Sequence, residues 1–534
     1  MLAKSSRILA LLATLPAISG VAVAAQSAEE RNLNEVRNTV VNLLQSLVER
    51  GVLSREQAET MVKNAQDKAA KDADAAAAQD AAEAGAVRVP YVPEVVKDEI
   101  RKQVSAELAP EIAKDVIAQG QAEGWAASAF LPDWTRRVRW SGDFRLRGQS
   151  DVFSNDNDPN GYLNYQAIND AGGIGKAGFA ATANNSEDRY RMRARARIGL
   201  DAELGRGWSV GTRLVTGNLK DPVSTNQTLG NSGFRYQTTF DLAFANYIGT
   251  TSDQRNTLVF SGGRIPNPWL SNDLVWDPDL TFEGVSTSYR RGFTRDGRSS
   301  HYAYITLGAF PLQEVELSDK DKWLFGGQLG IDWRFDGGSR ARMAAAYYYY
   351  KNIVGERNAF NTTLLNYTAP LYLQKGNTLI DILNDQDDNT NLFALASNYH
   401  LLDANLNFDW QLNSTYKLTF AAEYVKNLGF DVPNIVRRDQ GYLAEVNFGH
   451  VLMARPGAWR VSVGYRYLGG DSTLDAFADS DFHLGGTDAK GYIFTGEVSL
   501  TERVFMRLKY LSANEIEGQT SGIDVLQLDL NTQF

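Results

Sequence analysis

The chain has 534 residues, a formal net charge of −10 and no cysteine. The lack of cysteine excludes disulfide frameworks, thiolate metal sites and cysteine nucleophiles, and the acidic balance argues against a nucleic-acid partner. Beyond residue 25 no apolar run reaches the roughly 18 residues that a membrane-spanning helix needs. A helical membrane protein is thereby excluded, whereas a barrel that crosses a membrane with strands is not.

Residues 1–24 have the pattern of a secretory signal peptide. Basic side chains precede the apolar residues 8–15, and Ala-Val-Ala at 22–24 suits signal peptidase. The alternative is a retained anchor helix, for which the apolar segment is too short. We therefore expect export from the cytoplasm and a mature protein that begins at Ala25.

Residues 25–130 are polar and rich in alanine, and their pattern indicates an α-helical, coiled-coil extension in the periplasm. Gly51 suits a helix C-terminus, and Ser54 with Gln57 forms a capping box that begins a second helix. A hairpin packed on itself and a contact between subunits explain the apolar seam of this segment equally well. That seam alternates spacings of three and four: Leu33, Val36, Val40, Leu43 and Leu47.

Residues 131–534 predict an all-β fold, a transmembrane antiparallel β-barrel. On its first strand Phe144 and Leu146 share one face, while Arg145 and Arg147 lie on the other. Sixteen segments alternate in this way, an even number as a closed bacterial barrel requires: 137–148, 189–204, 208–217, 240–247, 257–265, 282–290, 301–310, 323–335, 339–350, 403–412, 416–426, 441–449, 459–468, 492–500, 504–511 and 523–534.

The connections and the aromatic residues agree with a barrel in a membrane, and a soluble sandwich or propeller explains neither. Short turns, expected in the periplasm, alternate with long external loops: turns 205–207, 336–338, 413–415 and 501–503, and loops 149–188, 218–239, 351–402 and 469–491. Outward aromatic side chains predict two interfacial girdles: Trp140, Trp208, Trp333, Trp410 and Trp459 at the periplasmic ends, and Tyr190, Tyr347, Tyr424, Tyr467, Tyr492 and Tyr510 toward the external ends.

Phe534 lies on the apolar face of the last predicted strand. A terminal phenylalanine on an amphipathic strand resembles the signal that the outer-membrane assembly machinery reads. We therefore expect insertion in the bacterial outer membrane, in contact with lipid and lipopolysaccharide.

Five stretches of the mature chain occur in a specific combination: 51–58 (GVLSREQA), 91–96 (YVPEVV), 131–134 (LPDW) leading into 142–147 (GDFRLR), and 263–269 (GRIPNPW). In this combination the chain resembles the putative porins, which are grouped with the trimeric porins. The resemblance implies a barrel channel and a homotrimer, and it leaves the solute undefined.

Five arginines recur at every second position of the second predicted strand, so their side chains all point into the lumen: Arg189, Arg191, Arg193, Arg195 and Arg197. Arg145 and Arg147 on the first strand and Arg213 on the third extend this ladder into a basic wall. Guanidinium groups bind carboxylates and phosphates, and a row of weak sites favours anion passage. The alternative is that these arginines pair with acids and only solvate the lumen. Both roles are compatible.

The third external connection carries Asp273, Asp277 and Asp279, and Glu283 begins the next strand. If this loop folds into the pore, its acids face the basic wall and set a transverse field that constrains solutes. The competing interpretation keeps the loop at the rim with its acids solvated.

No metal, cofactor or catalytic site is predicted. Asp156, Asp158 and Asn160 match the first half of a calcium loop, but Ala167 stands where a bidentate Glu is required. No catalytic motif is present, so we expect that the protein is not an enzyme. The histidines lack metal-ligand spacing and are expected at the solvated surface: His301, His400, His450 and His483.

The sequence thus predicts an outer-membrane porin, a water-filled channel for passive diffusion of small hydrophilic solutes that favours anions. The alternative is a structural barrel whose N-terminal helices tether the envelope by contacting peptidoglycan or periplasmic partners.

Overall fold

The computed structural model describes Thr60, Lys63 and residues 137–158, 161–295 and 298–534. The predicted signal peptide and nearly all of the predicted helical extension lie outside the described residues. Both stay predictions, as does the envelope-tethering role that depends on the extension.

The largest sheet of the described fold is antiparallel and has 17 strands, of which one, Gln227–Thr228, is a short segment within a loop. Two further sheets of two strands each lie within the external loops. The other strands of the largest sheet form the barrel wall: β1 Val138–Phe153, β2 Arg189–Gly205, β3 Trp208–Thr216, β4 Thr238–Thr250, β5 Asn256–Pro266, β6 Thr281–Arg295, β7 Arg298–Gln313, β8 Lys322–Arg334, β9 Arg340–Lys351, β10 His400–Gln411, β11 Tyr416–Asn427, β12 Gln440–His450, β13 Trp459–Leu468, β14 Ala489–Ser499, β15 Val504–Glu515 and β16 Gly522–Gln533.

The barrel closes because β1 pairs with both β2 and β16. Arg145, for example, lies opposite Arg195 on one side and opposite Asn531 on the other. Closure leaves no unpaired sheet edge in the bilayer, where water is absent and unpaired backbone groups are costly. The predicted barrel of 16 strands is confirmed.

Several strands continue further at their external ends than the sequence pattern indicates. β1 extends to Phe153 and β15 to Glu515. Beyond the apolar belt the outward face becomes polar, so the alternation weakens although backbone pairing continues. Hydrogen bonding, which the periodicity does not report, therefore sets these ends.

Alternating burial along each strand separates a lipid-facing side from a lumen-facing side. On β16, Leu526 and Leu528 are 44% and 48% exposed, while the alternating residues Gln527 and Asp529 are buried. This period of two follows from the pleat. Tryptophans of the predicted periplasmic girdle lie on the outward face with the leucines: Trp140, Trp208, Trp333 and Trp410 are all exposed.

No helix among the described residues is long and apolar enough to cross a bilayer.

A hydrophobic cluster lies inside the barrel, where loops pack against inward side chains of the wall. Trp276, from the loop 267–280, is 1% exposed and contacts Tyr348 and Phe282 with ring centroids 5.0 Å away in each case. Leu474 and Phe482, from the loop 469–488, belong to the same cluster. Burial of these apolar groups therefore fixes both loops within the lumen.

Candidate functional site in the barrel lumen

The loop 267–280 is the third external connection, and it folds into the lumen. Its backbone N–H groups at Asn272 and Leu274 donate to Glu423 Oε2 on β11 at 2.7 and 3.1 Å. Leu270 and Gln328 on β8 exchange two hydrogen bonds of 2.9 Å. These bonds satisfy backbone groups that water would serve on a solvated loop.

The far end of the same loop reaches the arginine ladder on β2. The Asp279 carboxylate accepts hydrogen bonds from Arg195 at 3.0 Å and Arg197 at 3.1 Å. Asp143 on β1 binds the same two guanidinium groups at 2.9 and 2.7 Å. The loop thus connects the wall at β8 and β11 with the wall at β2, and one of its acids faces the basic wall.

Arg147 is the most buried arginine of the wall's first strand. Its guanidinium group, 2% exposed, lies between two carboxylates. Asp529 on β16 accepts at 2.7 and 3.0 Å, and Asp481 from the loop 469–488 accepts at 2.9 and 3.0 Å. The Arg147 site therefore combines β1 with β16 and the loop 469–488, which are distant from β1 in the sequence.

Other lumen arginines have one carboxylate partner or only neutral partners. Arg191 pairs with Asp151 at 2.9 Å. Arg145 donates to the Asn226 side chain at 2.6 Å, and Arg193 donates to Ser224 at 3.4 Å. Arg145 and Arg193 form no ion pair with any residue that the structure describes.

Three of the predicted site residues lie apart from this cluster. Arg213 pairs with Asp241 at 2.6 Å. Glu283 pairs with Arg264 at 2.8 Å, and the Glu283 side chain is 60% exposed. Arg189, at the external end of β2, is also exposed.

Two adjoining cavities, of about 350 and about 250 Å³, lie beneath the inward loops. The larger is lined by basic wall residues and by acids of both loops, among them Arg145, Arg195, Asp279 and Asp481. Lys509 on β15 lines both cavities and forms no ion pair with a described residue. Cavities lined by both signs of charge suit small charged or dipolar solutes.

Two acids of the loop 267–280, Asp273 and Asp277, have raised pKa values because surrounding protein atoms and neighbouring acids disfavour their charged forms. Desolvation, and then the nearby Asp479, raises the pKa of Asp273 to about 6. Burial together with Asp479 and Asp279 raises the pKa of Asp277 well above its usual range. The charge of this loop therefore depends on pH.

The loop 469–488 was predicted only as a polar external loop, and its place in the lumen was missed. Ser480 N donates to Asp277 at 2.9 Å, and Asp479 pairs with Arg466 on β13 at 2.8 Å. A signal was present in the sequence, since Leu474 and Phe482 are more apolar than a solvated loop requires. Both are buried.

The expectation of solvated histidines is wrong for two of them. His301 is buried and stacks on Trp333 with ring centroids 3.8 Å apart. His483 is 1% exposed, and its Nε2 lies 3.1 Å from the carbonyl oxygen of Ser521. Cross-strand stacking buries the first and loop packing buries the second.

The remaining candidates lie near the barrel ends. Asp156 is exposed in the turn after β1, Asp158 accepts a hydrogen bond from Gln519 at 3.2 Å, and Asn160 lies outside the described residues. Among the described residues no group of three potential ligands could hold a metal ion. Phe534 is 60% exposed, and its backbone pairs with Gly142 on β1.

A closed antiparallel barrel with an apolar outer face, a charged lumen and an inward third loop is the architecture of an outer-membrane channel of the porin class. A family model described as putative porin matches residues 37–534, and the chain belongs to that family. The protein is thus a porin-type barrel of the outer membrane.

Three solved structures that are similar to this chain come from three organisms. OprB of Pseudomonas putida, in its high-pH structure, is 10% identical with a TM-score of 0.43, and the match covers 78% of this chain and 97% of OprB. OmpF of Salmonella typhi in complex with daunomycin is 12% identical with a TM-score of 0.38, over 74% and 97%. The outer-membrane channel DcaP of Acinetobacter baumannii is 13% identical with a TM-score of 0.32, over 74% and 97%. No curated protein matches the chain in sequence.

Proposed function

We propose that this barrel conducts small hydrophilic solutes by passive diffusion and favours anions. The observation that carries the proposal is a set of lumen cations, Arg145, Arg193 and Lys509, that form no ion pair with a described residue. A cation without a carboxylate partner attracts a mobile anion, whereas an ion-paired one is largely neutralised. Among the ladder arginines, Arg195 and Arg197 share Asp143 and Asp279 and serve mainly to position the inward loop.

The ion pairs and the free cations have separate tasks in this proposal. Paired arginines hold the loop 267–280 across the lumen and so limit solute size. Unpaired cations supply successive weak sites, which permit an anion both to enter and to leave. A lumen of this kind passes small anions more readily than cations of the same size.

The test is the reversal potential of single channels in a planar bilayer under a KCl gradient. Arg145→Gln and Arg193→Gln should each lower the chloride-to-potassium permeability ratio by roughly fivefold, because a unit charge about 4 Å from a solute ion contributes about 1 kcal/mol in water. Arg255→Gln is the matched control, since Arg255 lies in the turn after β4 with its side chain 51% exposed. A folded barrel without conductance would refute the channel, and an unchanged ratio would refute the anion preference.

Three finer statements belong to the same proposal. The signal peptide 1–24 directs export, and Phe534 on the outward side of the closing strand is read during outer-membrane assembly. The barrel assembles as a homotrimer, as membership of the family suggests. Cross-linking of the protein in native membranes tests the trimer, and deletion of Phe534 tests assembly through the yield of heat-modifiable barrel.

A further inference from the structure

The loop 469–488 places one carboxylate against the basic wall. Asp481 receives two hydrogen bonds from the same nitrogen of Arg147, at 2.9 and 3.0 Å, and its side chain is 17% exposed. Arg147 is already paired on its other edge with Asp529 at 2.7 and 3.0 Å. The wall therefore does not need Asp481 to neutralise Arg147.

Further cations lie near the Asp481 carboxylate, since Arg145 and Lys509 line the same cavity. Burial acts to raise its pKa, but Arg147, followed by Lys509, Arg145 and Arg193, outweighs burial and holds the pKa well below its usual range. Arg145 and Arg193 also keep buried Nε atoms without a hydrogen-bond partner in the described structure. Such groups can donate a hydrogen bond to a further anionic oxygen.

The segment that carries Asp481 is fixed on both sides of that residue. Ser480 donates through its backbone to Asp277 at 2.9 Å and through its hydroxyl to the carbonyl oxygen of Val223 at 3.1 Å. Phe482 is 2% exposed beneath the Arg466 guanidinium group, at 5.0 Å. The carboxylate is thus held in place from the external side of the lumen.

We propose that Arg145, Arg147, Arg193 and Lys509 form a binding site for the carboxylate group of a permeating organic anion, which Asp481 occupies as a tethered competitor. The inference rests on the proposed function and adds the solute class to it. A solute carboxylate takes the position of Asp481 on Arg147, while Asp529 stays in place and Arg145, Arg193 and Lys509 supply the remaining positive charge. The solute must then compete with the Asp481 carboxylate. Because the protein chain tethers this carboxylate close to the site, its effective concentration there is in the millimolar range or above, as for other short tethers.

The experiment measures block of the chloride current by succinate in planar bilayers. Asp481→Asn removes the tethered charge but keeps an acceptor oxygen, so the concentration of succinate for half block should fall on the order of tenfold. Asp488→Asn is the matched control, because this acid belongs to the same loop but pairs with Arg438 at 2.6 Å and lines neither lumen cavity. The control should block like the unaltered protein.

A second variant keeps the test decisive if Asp481→Asn does not yield a heat-modifiable barrel. Arg145→Gln should raise the half-blocking concentration of succinate about tenfold, since it removes one charge-assisted donor from the site. An unchanged half-blocking concentration in Asp481→Asn, or an equal fall in Asp488→Asn, would overturn the site. If the unaltered barrel conducts no chloride, the proposed function fails instead, so the two failures are distinguishable.

Discussion

Replacement of Trp276 by alanine should release the loop 267–280 from the lumen. The indole ring is 1% exposed and packs edge-on against Tyr348 and Phe282, with both centroids at 5.0 Å, while Phe477 lies 6.1 Å away. Alanine leaves a cavity among these three rings. The strand ladder does not depend on this contact, so the barrel itself should persist.

The magnitude follows from the buried area. A tryptophan buries roughly 200 Å² of surface, and at about 25 cal/mol per Å² its loss corresponds to about 5 kcal/mol. Measured Trp→Ala changes in cores cost about 3–5 kcal/mol. A loss of even 3 kcal/mol raises the open population of the loop by more than 100-fold.

Single-channel recording measures the consequence. Trp276→Ala should give a larger and noisier conductance than the unaltered protein, whereas Trp276→Phe should restore most of the packing and an intermediate conductance. Trp140→Ala is the control, because Trp140 faces outward and is 67% exposed. An unchanged conductance in Trp276→Ala, with a folded barrel, would refute the argument that this packing holds the constricting loop.

Two further predictions concern the lumen charge and the loop contacts. Asp273 has a pKa of about 6 and is faced by Asp479, Arg466, Lys509 and Glu445. As the pH falls from 7.5 to 5, Asp273 becomes neutral, so the chloride selectivity of the channel should rise. Asp273→Asn should already show this higher selectivity at pH 7.5, and a pH response in this variant equal to that of the unaltered protein would contradict the assignment. Asn377 joins two loops by donating to the carbonyl oxygens of Gly470 at 2.6 Å and Thr473 at 2.8 Å and accepting from Asp475 N at 2.8 Å. Asn377→Ala should cost about 3 kcal/mol of loop contact and make the loop 469–488 sensitive to protease, while equal resistance in both proteins would show that other contacts hold it.

The outward and inward faces of the wall could be read from the sequence because the pleat makes side-chain direction depend on residue parity alone. Gln527 and Leu528 lie on opposite faces for this reason, and burial follows the same pattern. The strand ends were less certain, since backbone pairing continues past the apolar belt, as at β15.

The position of the acids in the loop 267–280 could not be predicted from the sequence in the same way. The sequence identified Asp279 and the ladder arginines, but the two interpretations of the third loop remained open because a loop has no periodicity. Asn272 and Glu423, whose hydrogen bond holds that loop, are far apart in the chain. Nothing local in either segment encodes that distant contact.

The sequence by itself therefore determined the strand number, the membrane-facing surface and the basic wall, because each depends on short-range alternation. Only the tertiary structure decided which cations are neutralised, because that depends on where two long loops pack. Arg147 receives a second carboxylate from Asp481, while Arg145 pairs with no carboxylate of the residues that the structure describes. Burial of Trp276 and Phe482 sets this outcome, since the apolar side chains of the loops find their partners inside the barrel and bring their acids with them.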